Sequence, residues 1–205
     1  MPSEPEYDLR RRQASERKRL KVLQMAGSSF AQDGFKKTTM DAVARKAGVS
    51  KGLVFHFFGS KQALIEAVIE DGLNQWSTLS AYRASGIGDD PLAELSALFL
   101  ASFDFVQQHP VLLLFARNEQ GLAQKDRQKI LRQNRLWRAR VEETLRRGLQ
   151  QGDIREIDTT RVADIFHQLQ TMLLTNASLK ASVPRYDRDR INAALDIFVA
   201  GIRSP

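Results

Sequence analysis

Cysteine is absent from the 205 residues. That removes disulfide frameworks, thiol nucleophiles, iron–sulfur clusters and cysteine-based zinc sites together. Histidine is scarce: His56, His109 and His167 lie far apart in sequence, which leaves little material for a metal site or a histidine-centred triad. The expectation is a chain with no metal and no cofactor. Apolar runs are short as well. Val111 to Ala116 falls far below the roughly 20 residues needed to span a bilayer. Met1-Pro2-Ser3-Glu4-Pro5 lacks the apolar core of a secretion signal, so a soluble cytoplasmic protein with no membrane partner is expected. Charged residues make up 27% of the chain and hydrophobic residues 42%, proportions that argue for globular structure rather than wholesale disorder. The length suits one or two small domains.

What the composition does contain is a surplus of positive charge, formally +7, and its placement is uneven. Residues 10–61 hold 13 Lys/Arg against only Glu16, Asp33 and Asp41. Residues 71–205 hold 18 Lys/Arg against 16 acids and are nearly balanced. A basic stripe of this kind suits a polyanion, most commonly nucleic acid. The alternative at this level is a solvated basic face without a partner.

Hydrophobic spacing predicts helices throughout, about nine in all, and an all-α fold. Residues 1–13 read as a flexible tail. Leu20, Leu23, Ala26 and Phe30 recur at helical spacing, and Gly34 ends that helix. Thr38-Thr39-Met40-Asp41 is a variant capping box for a short helix from Thr39 to Lys46. A tight turn at 47–50 and a second short helix to about Phe57 follow. Ser60 caps a long helix to about Tyr82, and Pro91 opens another that His109-Pro110 stops. Further helices are expected at 110–119, 122–151, 159–181 and 188–203.

Met40–Phe57 carries the most specific pattern. Ala44 is followed at +4 by Gly48 and at +10 by Val54. Two short helices that cross steeply need a small side chain at the crossing, and the turn needs a residue that tolerates a left-handed backbone. Val43, Ala47, Val49 and Val54 supply an apolar wedge, while Ser50 and Lys51 open the second helix on its exposed side. This is the arrangement of a helix-turn-helix whose second helix enters a DNA major groove.

The run from Thr38 through Gly48-Val49-Ser50-Lys51-Gly52-Leu53-Val54-Phe55-His56-Phe57-Phe58-Gly59-Ser60-Lys61 to Leu64 resembles the DNA-binding domain of TetR/AcrR-family transcriptional regulators. The resemblance covers about residues 14–66; the remainder is similar in layout, with one echo at Gly148-Leu149 through Gly152-Asp153-Ile154-Arg155. It implies a helix-turn-helix domain over 14–62 and a ligand-binding and dimerisation domain over 63–205. It further implies a homodimer, paired through the two C-terminal helices, that binds a pseudo-palindromic double-stranded DNA operator. A small-molecule effector would release it, and most members are repressors. On this resemblance Thr38 and Thr39 would face a phosphate at a helix N-terminus. Ser50, Lys51, Gly52, Leu53 and Phe55 would meet base edges or nearby backbone. His56 would stand beside the backbone and Lys61 would clamp a phosphate. Phe55 and Phe57 stand where many members carry a hydroxyl- or imidazole-bearing ring, which predicts a hydroxyl-poor interface. Arg10-Arg11-Arg12 and Arg17-Lys18-Arg19 read either as a minor-groove arm or as an exposed basic helix start.

In the C-terminal part, Trp76, Phe99, Phe103, Phe115 and Trp137 are candidate effector-pocket residues, with plain core as the alternative. His167 and Gln170 interrupt an apolar helix, where buried polar groups need partners; ligand, neighbouring helix and dimer mate are all open. Arg135, Arg138, Arg146 and Arg147 read as a solvated face. Absent cysteine and scarce histidine disfavour redox or metal sensing, leaving a hydrophobic or aromatic organic compound as the expected signal. No catalytic motif is present, so no enzyme activity is expected. Alternative readings are an activator, a regulator controlled by a protein partner without small ligand, and, remotely, a small all-α enzyme using His167 with a nearby acid.

Overall fold

The computed structural model describes residues 6–85, 87–110, 113, 122–176 and 186–205. Eight helices lie among them: α1 (Glu6–Lys37), α2 (Met40–Ala47), α3 (Lys51–Phe58), α4 (Lys61–Ser85), α5 (Pro91–Gln108), α6 (Gln124–Gln151), α7 (Thr159–Thr175) and α8 (Arg188–Ile202). The fold is all-α, and the β feature among the described residues is one isolated bridge between Ile154 and Arg203. Most of the helix expected at 110–119, and the expected extension of α7 to 181, fall outside the described residues. α1 begins at Glu6, so residues 6–13, read from sequence as tail, are helical. The chain divides into two compact units, 1–71 and 72–205, with the boundary inside α4 rather than at 62/63.

In the first unit α1 buries Val22, Leu23, Ala26 and Phe30, whereas Leu20, expected on that face, is 48% exposed. The buried stripe therefore starts one turn later than the apolar spacing suggested. Gly34 breaks α1 with φ 76° and ψ 165°, and Phe35 turns back to place its ring 5.3 Å from that of Phe30. Val43, Ala44 and Ala47 of α2, Val54 and Phe58 of α3, and Leu64, Ile65, Val68 and Ile69 of α4 complete the core. Gly48 caps α2 with φ 68°, the left-handed conformation that the turn demands and L side chains resist.

The second unit packs α5, α6, α7 and α8 around an aromatic chain. Phe99 meets Phe103 at 5.5 Å and Phe166 at 5.2 Å. Phe166 in turn meets Phe198 at 5.2 Å, and Phe103 meets Tyr186 at 5.2 Å. Gly148 permits a close approach: a Cβ there would sit 2.5 Å from Ile154 Cδ1 and 3.1 Å from Pro91 Cβ. Not all of α6's arginines form a solvated face. Arg138 pairs with Asp164 at 2.8 Å, Arg146 with Glu142 and Glu143, and Arg147 with Asp89 and the buried Glu94. Arg140 also reaches Glu94, at 3.2 Å. That acid, 7% exposed, is held by two guanidinium groups, and its hydrogen bond raises the Arg147 pKa.

Candidate nucleic-acid interface and cavity

α2, the turn at Gly48 and α3 present their polar side through local capping. Thr39 is exposed, and its Oγ1 accepts from the Ala42 N–H at 3.1 Å, closing the start of α2. Ser50 does the same for α3, its Oγ accepting from the Leu53 N–H at 3.2 Å. Helical period then sorts α3 cleanly. Val54 and Phe58, four apart, are buried, while Lys51, Gly52, Phe55 and His56 lie on the exposed face, with Phe55 at 42% exposure. Leu53 is half-buried between the two faces. Lys61 opens α4 beside the cap Ser60, whose Oγ accepts from the Ala63 N–H at 3.1 Å. Its ammonium donates to the Lys36 carbonyl at 3.1 Å, which leaves two N–H bonds for an anion. Arg19 lies 5.6 Å over the Phe58 ring, which ties that point of α1 to α3, and Arg10, Arg11 and Arg12 lie within the same helix.

The second unit contains a cavity of about 220 Å³. Trp76 of α4 and Trp137 of α6 form its aromatic walls, with ring centroids 4.8 Å apart. Phe105 packs against Trp76 at 5.2 Å. Ile130, Gln133 and Asn134 of α6 and His167, Gln170 and Thr171 of α7 are also in the lining. Gln170 is buried and committed: its Oε1 accepts from Trp137 Nε1 at 3.0 Å, and its Nε2 donates to the Phe99 carbonyl at 3.3 Å. His167 Nδ1 is buried without a hydrogen-bond partner. Burial, reinforced by the charge on Arg138 and opposed by Asp164, lowers the His167 pKa below its ordinary 6.5, which favours the neutral imidazole.

Residues 22–68 match the family described as bacterial regulatory proteins, tetR family. The chain is 31% identical over 102 residues to the HTH-type transcriptional repressor KstR2 of Mycolicibacterium smegmatis, covering 50% of this chain and 49% of that one. It thus spans about half the length of that curated relative. The solved structure of the ketosteroid transcriptional regulator KstR2 of Mycobacterium tuberculosis superposes with a TM-score of 0.73 at 24% identity, covering 90% and 94% of the two chains. AibR, solved in complex with isovaleryl coenzyme A and operator DNA, gives a TM-score of 0.71 at 20% identity, covering 92% and 99%.

Residues 22–68 belong to the tetR family of bacterial regulatory proteins.

The predicted site residues separate by where the fold places them. Thr39, Ser50, Lys51, Gly52, Phe55 and His56 stand exposed on one helix-turn-helix surface, with Leu53 and Lys61 at its margin. Thr38 is a correction. It is 3% exposed, and its hydroxyl donates to the carbonyls of Ser29 at 3.1 Å and Gly34 at 2.9 Å. The Gly34 carbonyl also accepts from the Thr38 backbone N–H at 3.3 Å, so main chain and side chain together hold Thr38 inward. In the second unit, Trp76, Trp137, His167 and Gln170 line the cavity. Phe99 and Phe103 are the second correction: both are fully buried in the aromatic core instead. Phe115 lies outside the described residues. Gln133, Asn134, Ser102 and Thr171 were not singled out from sequence. A signal for two of them existed: the apolar face of α6 runs Ile130, Trp137, Val141, Leu145, and Gln133 and Asn134 occupy the turn where an apolar residue is missing.

Proposed function

We propose that this chain is a cytoplasmic, homodimeric transcriptional repressor that binds a pseudo-palindromic operator and is released by a small hydrophobic or aromatic effector. The observation that carries the DNA-binding half is the sorted face of α3, with Lys51, Gly52, Phe55 and His56 outward and Val54 and Phe58 inward. Lys51 and the half-buried Leu53 would read base edges, Phe55 would meet sugar or a thymine methyl, and Thr39 and Lys61 would hold phosphates. Net +10 over residues 10–61 supports the electrostatic part of binding. The KstR2 relative is itself named a repressor, and AibR, on the same fold, was solved in complex with isovaleryl coenzyme A and operator DNA.

Exposed apolar side chains support the dimer: Ile165 and Met172 on α7 and Ile197 on α8, the last 74% exposed. Pairing α7 and α8 with their copies would bury them. The cavity favours a small molecule over control by a protein partner, which needs no cavity. The enzyme reading loses its acid, because Asp164 is bound to Arg138.

Selection of bound fragments from the source genome tests the operator reading; retention without a shared palindromic sequence overturns it. Lys61→Ala is expected to weaken binding across sequences and lower the salt slope by about 1. Light scattering that shows a monomer at micromolar concentration removes the dimer.

A further inference from the structure

The ligand-responsive reading leaves the effector's chemistry open, and the cavity narrows it. We propose that the cavity takes an uncharged compound of one or two flat rings bearing a single hydroxyl or carbonyl group, stacked against Trp76 and Trp137 and hydrogen-bonded by His167. This inference rests on the cavity being the effector site.

Three observations converge on it. The first is size: benzene occupies an engineered cavity of roughly 150 Å³, so about 220 Å³ suits a ring system somewhat larger. The second is charge. Among the described residues that line the cavity there is no Asp, Glu, Lys or Arg. Arg138, next to His167, pairs with Asp164 at 2.8 Å and stands outside the lining. A carboxylate or ammonium entering here would lose water and gain no counter-charge.

The third is the supply of hydrogen bonds. Gln170 is committed through both ends of its amide, which fixes the Trp137 indole, and makes it a positioning residue. Ser102 donates its hydroxyl to the Phe99 carbonyl at 2.8 Å. His167 is different: among the described polar residues of the lining, Gln133, Asn134 and Thr171 included, it is the one with a buried polar atom, its Nδ1, that has no partner. An unsatisfied buried polar group is unfavourable, and a ligand hydroxyl or carbonyl that hydrogen-bonds the imidazole offsets the loss. A neutral imidazole is both donor and acceptor, so either group suits it. A site built this way discriminates against the analogue that lacks the polar group.

Both tryptophans of the chain line the cavity, so intrinsic fluorescence reads occupancy directly. Full-length protein without DNA is titrated with 1-indanol, indane and indane-1-carboxylate. The expected result is a saturable emission change, about tenfold tighter for indanol than for indane, the size of one buried hydrogen bond. The carboxylate gives no saturable change over the same range. His167→Phe brings indanol and indane to equal affinity, and His167→Gln, which keeps a hydrogen-bonding end, retains the preference for indanol. Equal affinities in the wild type, tightest binding of the carboxylate, or no saturable change with any of the three overturns the proposal. So does an indanol preference that survives His167→Phe. Because no DNA is present, a failed operator selection leaves this result standing, and a failed titration leaves the operator reading standing.

Discussion

The exposed face of α3 and the walled cavity are built on opposite plans. Every residue of the first lies within one short stretch, Thr39 to Lys61, and each side chain's outward or inward position follows from a cap, a turn and the helical period. The cavity draws one or two turns from each of four helices, with Trp76, Phe105, Trp137 and His167 separated by up to 91 positions. A locally built site tolerates changes at its exposed positions without loss of fold, because few other elements depend on them. A site assembled from distant turns shares its residues with the core, so function and stability are entangled there.

The sharpest way to break this contrast uses one residue type in both places. Phe166→Ala empties the centre of the aromatic chain and is expected to cost about 3–5 kcal/mol, read as a fall in thermal midpoint. Phe55→Ala on α3 is expected to stay within about 0.5 kcal/mol of wild type while weakening operator binding. Comparable destabilisation by the two changes would show that α3 is packed rather than presented.

Two glycines give the next contrast. Gly148→Ala pushes a methyl against Ile154 and Pro91 and is expected to cost about 1–3 kcal/mol through overpacking. Gly52 has no heavy atom within 4 Å of an added Cβ, so Gly52→Ala is expected to gain about 0.5–1 kcal/mol of helix stability. Its methyl faces the proposed DNA side, and weaker binding by a more stable protein is the outcome that chemical denaturation and a gel-shift titration would together record.

Caps should erase the difference between the units, since they are local in both. Ser50 and Asp158 each accept from a backbone N–H three residues on, at 3.2 and 3.0 Å. Replacing either with Ala is expected to cost about 1 kcal/mol, and a several-fold disparity between them in urea denaturation would show that one cap also has a tertiary role.

The smallest effect expected is on acid stability. With the His167 pKa lowered in the folded chain, the unfolded chain takes up a proton first as pH falls. The contribution of His167 to stability is therefore full above about 6.5 and is lost as pH drops through the depressed folded value. His167→Gln should flatten the decline of the thermal midpoint between pH 6.5 and 5. A decline parallel to wild type would mean that the imidazole is charged in the folded protein.

Legibility followed the same division. The helix-turn-helix could be read because Ala44, Gly48, Ser50 and Val54 stand at spacings that backbone geometry alone demands. Thr38 misled for a local reason of its own. As a threonine before a capping threonine it has the look of an exposed phosphate ligand, but its hydroxyl and its backbone N–H both donate to the Gly34 carbonyl and hold it inward. In the cavity the aromatic candidates were equivalent on paper. Phe99 and Phe103 share α5 with Phe105, which was not among the candidates, and only packing against Phe166 and Tyr186 placed the first two in the core while Phe105 went to the wall.

By itself, the sequence determined the all-α class, most helix limits and the outward face of α3, because caps, glycine turns and the 3.6-residue period act over a few neighbouring residues. Tertiary structure alone decided which aromatics wall the cavity, that Gln170 braces Trp137, and that His167 keeps an unpartnered nitrogen. Those outcomes depend on which distant helix lies opposite each turn, and a helix's own periodicity carries no record of its neighbour.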